Sequence, residues 1–299
     1  MKRTIVALVL TACMAALAGC GGDTGNQTSD QTGTSSQTQT SALTGSITGS
    51  GSSALLPLAK DAAEKFKEKN PDVSITLNGG GSGTGLKQVA EGSVDIGNSD
   101  VEAESKLEAS QASQLVDHKV CVVTMAPVIN KELAESVKSL TKQQLIDIFT
   151  AKTTNWKDVG GPDEPIVLVT RPATSGTRAL FQQYALDGAE EATNSALETD
   201  DSGTLLQSVA SQKGAIGYVA LSYLVNNDTV STVAIDGVEP SLENTYNGTY
   251  PVWGYEHMYT KGEPTGAVKA FIDYVMSDEY GAYVEAQGYN VTSKMTVTR

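Results

Sequence analysis

The chain has 299 residues, a formal net charge of −14 and three cysteines. That length suits one large domain or two lobes. The acidic balance excludes the basic footprint that a nucleic-acid partner requires.

Lys2 and Arg3 form a short basic start, and Ile5 to Leu17 an apolar run too short to anchor stably across a bilayer. Small residues then lead to Leu17-Ala18-Gly19-Cys20, which resembles the lipobox of bacterial lipoproteins. The resemblance implies cleavage before Cys20, lipid attachment there, and an extracytoplasmic protein held at the cell membrane by lipid alone. An ordinary secretory signal with an incidental cysteine is the alternative. Residues 1–19 are thus expected to be a signal peptide, and removing Lys2 and Arg3 takes the charge to about −16. Residues 20–44 carry the lipid site and a Gly/Ser/Thr/Gln-rich tether, which has too little apolar surface to offset its conformational entropy. Only Cys121 remains beyond Cys13 and Cys20, in the apolar run Val120-Cys121-Val122-Val123, so no internal disulfide is expected.

From Leu43 strands and helices alternate. Ser46-Ile47-Thr48 reads as a short strand, followed by Leu55, Leu58, Ala59, Ala62, Ala63 and Phe66 at the spacing of one helix face. Val73 to Leu77 alternates as a strand, and the glycine-rich turn Gly79 to Gly85 opens a helix from Leu86 to about Glu91. Asp95-Ile96-Gly97 is a further strand ending near Asp100, and Val120 to Val128 suits a buried one. Thr141 with Gln144 forms a capping-box pair ahead of Leu145, Ile148 and Phe149. Ile166 to Val169 is a strand ending at Thr170-Arg171, and Thr174 to Thr177 cap a helix carrying Leu180, Phe181 and Tyr184. Ala215 to Val219 is another strand, and Val268 to Met276 and Gly281 to Gln287 are helical. This alternation predicts an α/β fold with helices on both sheet faces.

Three glycine- or hydroxyl-rich turns stand directly before helices: Gly49 to Ser53, Gly81 to Gly85, and Thr174 to Thr177. The first amides of a helix are unpaired and sit at the positive end of its dipole, so such turns can receive an anion. Serine and threonine also cap helices without any ligand, and that reading stays open. Arg171 would supply a planar fork for two oxygens of an oxyanion, or a surface ion pair. Asp100 has a use in such a site. Phosphate near neutral pH still carries a proton, and a carboxylate can accept the hydrogen bond from that hydroxyl, whereas sulfate has none and would face an unpaired charge.

Thr48-Gly49-Ser50-Gly51-Ser52-Ser53, Gly81-Ser82-Gly83 with Leu86-Lys87-Gln88, Asp95 to Asp100, and Arg171 with Ser175-Gly176-Thr177 resemble the phosphate-binding subunit of the high-affinity phosphate ABC importer. Leu145 to Phe149, Thr154-Asn155-Trp156 and Gly214 to Tyr218 are similar to the same family, in order, over nearly all of residues 45–299. The resemblance implies a two-lobe periplasmic-binding-protein-like fold of type II, with two crossover strands and the ligand in the cleft. Residues 45–122 plus 252–299 would form lobe 1, and 123–251 lobe 2. Inorganic phosphate would be bound by Ser53, the Ala54 amide, Ser82 and Asp100 on one side, and by Arg171, Ser175, Gly176 and Thr177 on the other. The permease subunits of the importer would be the protein partner, with no cofactor. Two departures stand out: Ala54 replaces an aromatic of some relatives, and Pro172-Ala173-Thr174 replaces an acid often found between the arginine and Ser-Gly-Thr. Without that acid the orientation of Arg171 is open.

Enzyme motifs are not found. Gly80 to Thr84 lacks the last glycine of a nucleophile elbow, and no Walker A run occurs. His118 and His257 stand beside no nucleophile motif, and no His/Cys/carboxylate cluster has metal spacing. Tyr246, Tyr250, Trp253, Tyr255 and Tyr259 suggest a strand near the crossover rather than a sugar platform. The alternatives to a phosphate importer subunit are a binding protein for sulfate or molybdate, a phosphate sensor, and a secreted hydrolase.

Overall fold

A computed structural model describes residues 42–192 and 196–299; the signal-like segment, Cys20 and the tether up to residue 41 lie outside the described residues. The chain runs β1 (Gly45–Gly51), α1 (Leu56–Lys69), β2 (Val73–Asn78), α2 (Ser82–Glu91), β3 (Ile96–Ser99), α3 (Ala109–Ala112) and β4 (Leu115–Asn130). It continues through β5 (Ser139–Leu140), α4 (Lys142–Phe149), β6 (Val167–Thr170), α5 (Gly176–Ala185), β7 (Ala196–Glu198), α6 (Ser202–Ser211) and β8 (Ala215–Ala220). The last third comprises β9 (Val230–Thr232), β10 (Ala234–Ile235), α7 (Leu242–Tyr246), β11 (Trp253–Lys261), α8 (Gly266–Val275) and α9 (Asp278–Val284).

The helix face read from Leu58, Ala59, Ala62, Ala63 and Phe66 is buried in α1, and the Thr141–Gln144 capping box opens α4. Other boundaries moved. The second helix starts at Ser82 rather than Leu86. Glycines there read locally as turn, yet α2 packs so closely on β1 that a Cβ at Gly85 would sit 2.5 Å from the Ser50 carbonyl oxygen. Close approach therefore outweighs the poor helix propensity of glycine. The strand expected at Val120 to Val128 extends over all of β4, and the helix expected from Gly281 to Gln287 is α9 followed by a 3₁₀ turn at Glu285–Gln287. Helix α6 was not anticipated.

One nine-stranded sheet has the order β2-β1-β3-β11-β4-β8-β6-β7, with β9 off this path on β4. The first part of β4 pairs antiparallel with β11, up to Thr124 opposite Trp253, and from Met125 onward it pairs with β8 and then β9. Strand β4 thus carries the chain from one half of the sheet into the other. On the first half β1 lies parallel to β2 and β3; on the second β6 lies parallel to β7 and β8. Helices cross between the parallel strands, as such connections require.

Tyr250, Trp253 and Tyr259 are buried in the core around β11, so they form no open aromatic platform. Phe181 stacks on Tyr218 with ring centroids 4.1 Å apart, tying α5 to β8. Cys121 is a buried free thiol whose ionisation is disfavoured by burial. No described helix is long and apolar enough to cross a membrane.

Candidate functional site

The turns that follow β1, β3 and β6 converge. After β1, Gly51 adopts φ 129°, and a Cβ there would lie 2.1 Å from the Asn98 carbonyl oxygen, so only glycine lets this turn close on β3. Ser53 follows, buried, and the fully buried Ala54 stands at the head of α1. Gly81 ends the turn before α2 with φ 84°, a left-handed conformation that suits glycine. At the end of β3, the Asp100 amide donates to Ser82 Oγ at 3.0 Å. This bond joins the second turn to the acid.

The third turn faces these from the other half of the sheet. Ser175 is the N-cap of α5, its side chain accepting from the Arg178 amide. A Cβ on Gly176 would come within 2.2 Å of Ser82 Oγ and 3.0 Å of Asp100 Cβ. The head of α5 thus rests directly on Ser82 and Asp100, and a side chain at position 176 would push it away. Thr177 Oγ1 donates to Asp100 Oδ2 at 2.6 Å, while Asp100 Oδ1 is buried without a partner. The Gly83 amide donates to the Thr174 carbonyl at 3.0 Å, and Lys106 Nζ to the Ala173 carbonyl at 2.8 Å. Burial lowers the pKa of Lys106 below the usual lysine value.

Arg171 is fully buried at the end of β6. Its guanidinium donates to the Asp200 carbonyl at 3.1 Å, to Ser202 Oγ at 2.9 Å and to the Tyr218 carbonyl at 3.3 Å, with Nε buried and unpartnered. The orientation left open by Pro172-Ala173-Thr174 is therefore set from another segment, the turn between β7 and α6. Ser53 Oγ donates to the same Asp200 carbonyl at 2.9 Å and lies 2.9 Å from Ser202 Oγ. Asp200 itself projects over Gly81, where a Cβ would be 1.8 Å from Oδ2, and burial raises its pKa above the usual aspartate value.

All eight residues singled out from the sequence, Ser53, Ala54, Ser82, Asp100, Arg171, Ser175, Gly176 and Thr177, meet at this junction. Asp200 and Ser202 were missed. Asp201-Ser202-Gly203-Thr204 repeats the hydroxyl-and-glycine pattern of the other turns before a helix, with Asp201 as the side-chain cap, and that signal was available. The histidines lie on strand partners instead: His257 Nδ1 is 2.7 Å from Asp117 Oδ1, and His118 Nε2 is 3.2 Å from Thr260 Oγ1. Chemically, the junction offers hydroxyls, helix-start amides and one guanidinium to an oxyanion, together with the carboxyls of the buried Asp100 and the half-buried Asp200, which can accept a hydrogen bond from its hydroxyl.

A family model described as a PBP superfamily domain matches residues 31–279. The phosphate-binding protein PstS of Bacillus subtilis is 52% identical over 251 residues, covering 84% of this chain and 82% of that protein. Among solved structures, a putative phosphate ABC transporter substrate-binding protein from Clostridium perfringens, with bound phosphate, has a TM-score of 0.75 and 36% identity over 83% of this chain and 100% of its own. An ABC-type phosphate transport receptor from Vibrio cholerae has a TM-score of 0.64 and 26% identity, covering 82% and 99%. Fold, ordered motifs and these likenesses agree: the chain belongs to the PBP superfamily and, within it, to the family of phosphate-binding proteins of ABC transporters.

Proposed function

We propose that the protein captures inorganic phosphate outside the cytoplasmic membrane and delivers it to the permease subunits of an ABC importer. The observation that carries this reading is a buried acid among anion donors: Asp100 accepts from Thr177 through Oδ2 and stands between Ser82 and the head of α5. A carboxylate there repels an oxyanion that has no proton and accepts a hydrogen bond from one that does. Ser53, the Ala54 amide and Ser82 bind phosphate oxygens from residues 45–122 plus 252–299, acting as one lobe. Arg171, Ser175, Gly176 and Thr177 bind from residues 123–251, acting as the other. On binding, the Thr177 hydroxyl turns to a ligand oxygen and Asp100 Oδ2 accepts a hydrogen bond from the ligand's own hydroxyl.

The role is one of binding without catalysis. Lipid on Cys20 holds the body at the membrane near its permease, so Cys20→Ala should release the protein into the soluble fraction. Calorimetric titration with phosphate, sulfate and molybdate tests the central reading. Phosphate should bind at one site, with sulfate weaker by roughly a hundredfold or more. Equal affinities, or no heat with phosphate, would overturn it.

A further inference from the structure

Strand β11 pairs antiparallel with β3, setting His257 opposite Ser99, Met258 opposite Asn98 and Tyr259 opposite Gly97. Continued by one residue, this register sets Glu256 opposite Asp100, where cross-strand side chains touch. Glu256 is fully buried, and neither of its carboxyl oxygens has a hydrogen-bond partner. Asp100 Oδ1 is also buried and unpartnered, while Oδ2 takes the Thr177 hydroxyl. Toward β4, Glu256 pairs in register with Cys121, and Tyr289 lies close by; both are fully buried groups whose ionisation burial disfavours. Lys106 and Asp200 are the other charged groups that sense the Asp100 carboxylate. The charged group facing Glu256 is Asp100 itself.

Two carboxylates in contact, away from water, cannot both remain ionised, and one shared proton converts their repulsion into a hydrogen bond. Burial, and after it the charge of Asp100, holds the Glu256 carboxyl well above the usual carboxylate range.

We propose that Glu256 is a positioning residue for anion selection: an un-ionised carboxylic acid that keeps its proton and donates a hydrogen bond to Asp100 Oδ1, leaving the pair's single negative charge on Asp100. The inference rests on the reading of Asp100 as acceptor of the ligand's hydroxyl. The donated hydrogen bond fixes the Asp100 carboxylate and keeps Oδ2 turned toward Thr177 and the cleft. It also spares an anion-binding site a second full negative charge directly behind the first.

Infrared spectroscopy of the intact protein reads the proton directly. At about pH 8.5, where Glu191 with its pKa of about 7 has ionised, the wild type should show the carbonyl band of an un-ionised carboxylic acid. Glu256→Gln should abolish that band. In binding, Glu256→Met fills similar volume without a donor and should lower the phosphate-to-sulfate affinity ratio by about tenfold or more. Glu256→Gln, whose amide can donate to Asp100, should recover most of that ratio. The proposal falls if no such band depends on Glu256, if Glu256→Gln binds phosphate about tenfold tighter than wild type as removal of a real charge would produce, or if a folded Glu256→Met keeps the wild-type ratio. Failure of the wild type to bind phosphate would instead remove the functional reading, while the infrared band would still decide whether Glu256 holds the proton.

Discussion

Thr177 Oγ1 donates to Asp100 Oδ2 across 2.6 Å, from the head of α5 to the end of β3. One hydroxyl therefore ties the acid of one half of the sheet to the helix start of the other. The same acid is the group expected to tell a protonated oxyanion from an unprotonated one.

Asp100→Asn keeps the size and replaces a carboxylate with an amide that can donate as well as accept. Phosphate should weaken, since its hydroxyl loses a charged acceptor worth roughly 1.5–3 kcal/mol. Sulfate should gain. Calorimetry with both anions should find their affinity ratio lowered by about tenfold or more, at 1.4 kcal/mol per decade. An unchanged ratio would show that Asp100 does not read the proton.

Arg171→Lys should act differently. The guanidinium reaches the Asp200 carbonyl, Ser202 Oγ and the Tyr218 carbonyl together, which a single ammonium at the end of a shorter stem does not reproduce. Both anions should weaken by roughly tenfold or more, with little change in their ratio, because the discriminating acid is untouched. Recovery of sulfate binding in this variant would contradict the division of labour between the two residues.

Gly176→Ala tests the closeness of the two halves. The added methyl would fall 2.2 Å from Ser82 Oγ and 3.0 Å from Asp100 Cβ, so the head of α5 must move off both. A loss of about 1–3 kcal/mol in denaturant stability is expected, with weaker phosphate binding. Wild-type affinity in this variant would mean that phosphate is held in a more open arrangement.

Glu191 carries a pH signature. Its carboxyl accepts from the Tyr218 hydroxyl at 2.7 Å, but burial dominates and pushes its pKa from 4.5 up to about 7. Between those values the unfolded chain has released a proton that the folded protein keeps. The contribution of Glu191 is thus fully present below about pH 4.5 and is lost as pH rises through 7, a decline of about 3 kcal/mol. Glu191→Gln should flatten unfolding free energies measured by denaturant titration between pH 5 and pH 8. A slope equal to wild type would place the titration elsewhere.

The general alternation of strands and helices, the buried face of α1 and the capping box of α4 were legible in the sequence, while the eight residues named for the site followed from the family resemblance and the fold brings them to one junction. The elements rest on local rules, periodicity along one element or a hydroxyl at a helix start, where amides are left unpaired whatever the rest of the chain does. The early start of α2 escaped that reading because its glycines serve a close approach to β1 that propensity does not register. Asp200 and Ser202 became partners of Arg171 only through folding, since 29 and 31 residues separate them from it. The role assigned to Glu256 is more distant still. In the sequence it is one acid within an aromatic strand; the register of β11 on β3, continued by one residue, carries it toward Asp100, and burial raises its carboxyl above the usual range. Local chemistry wrote the donors into the chain, whereas strand register and loss of water, properties of the assembled sheet, settled how those donors and acids are paired.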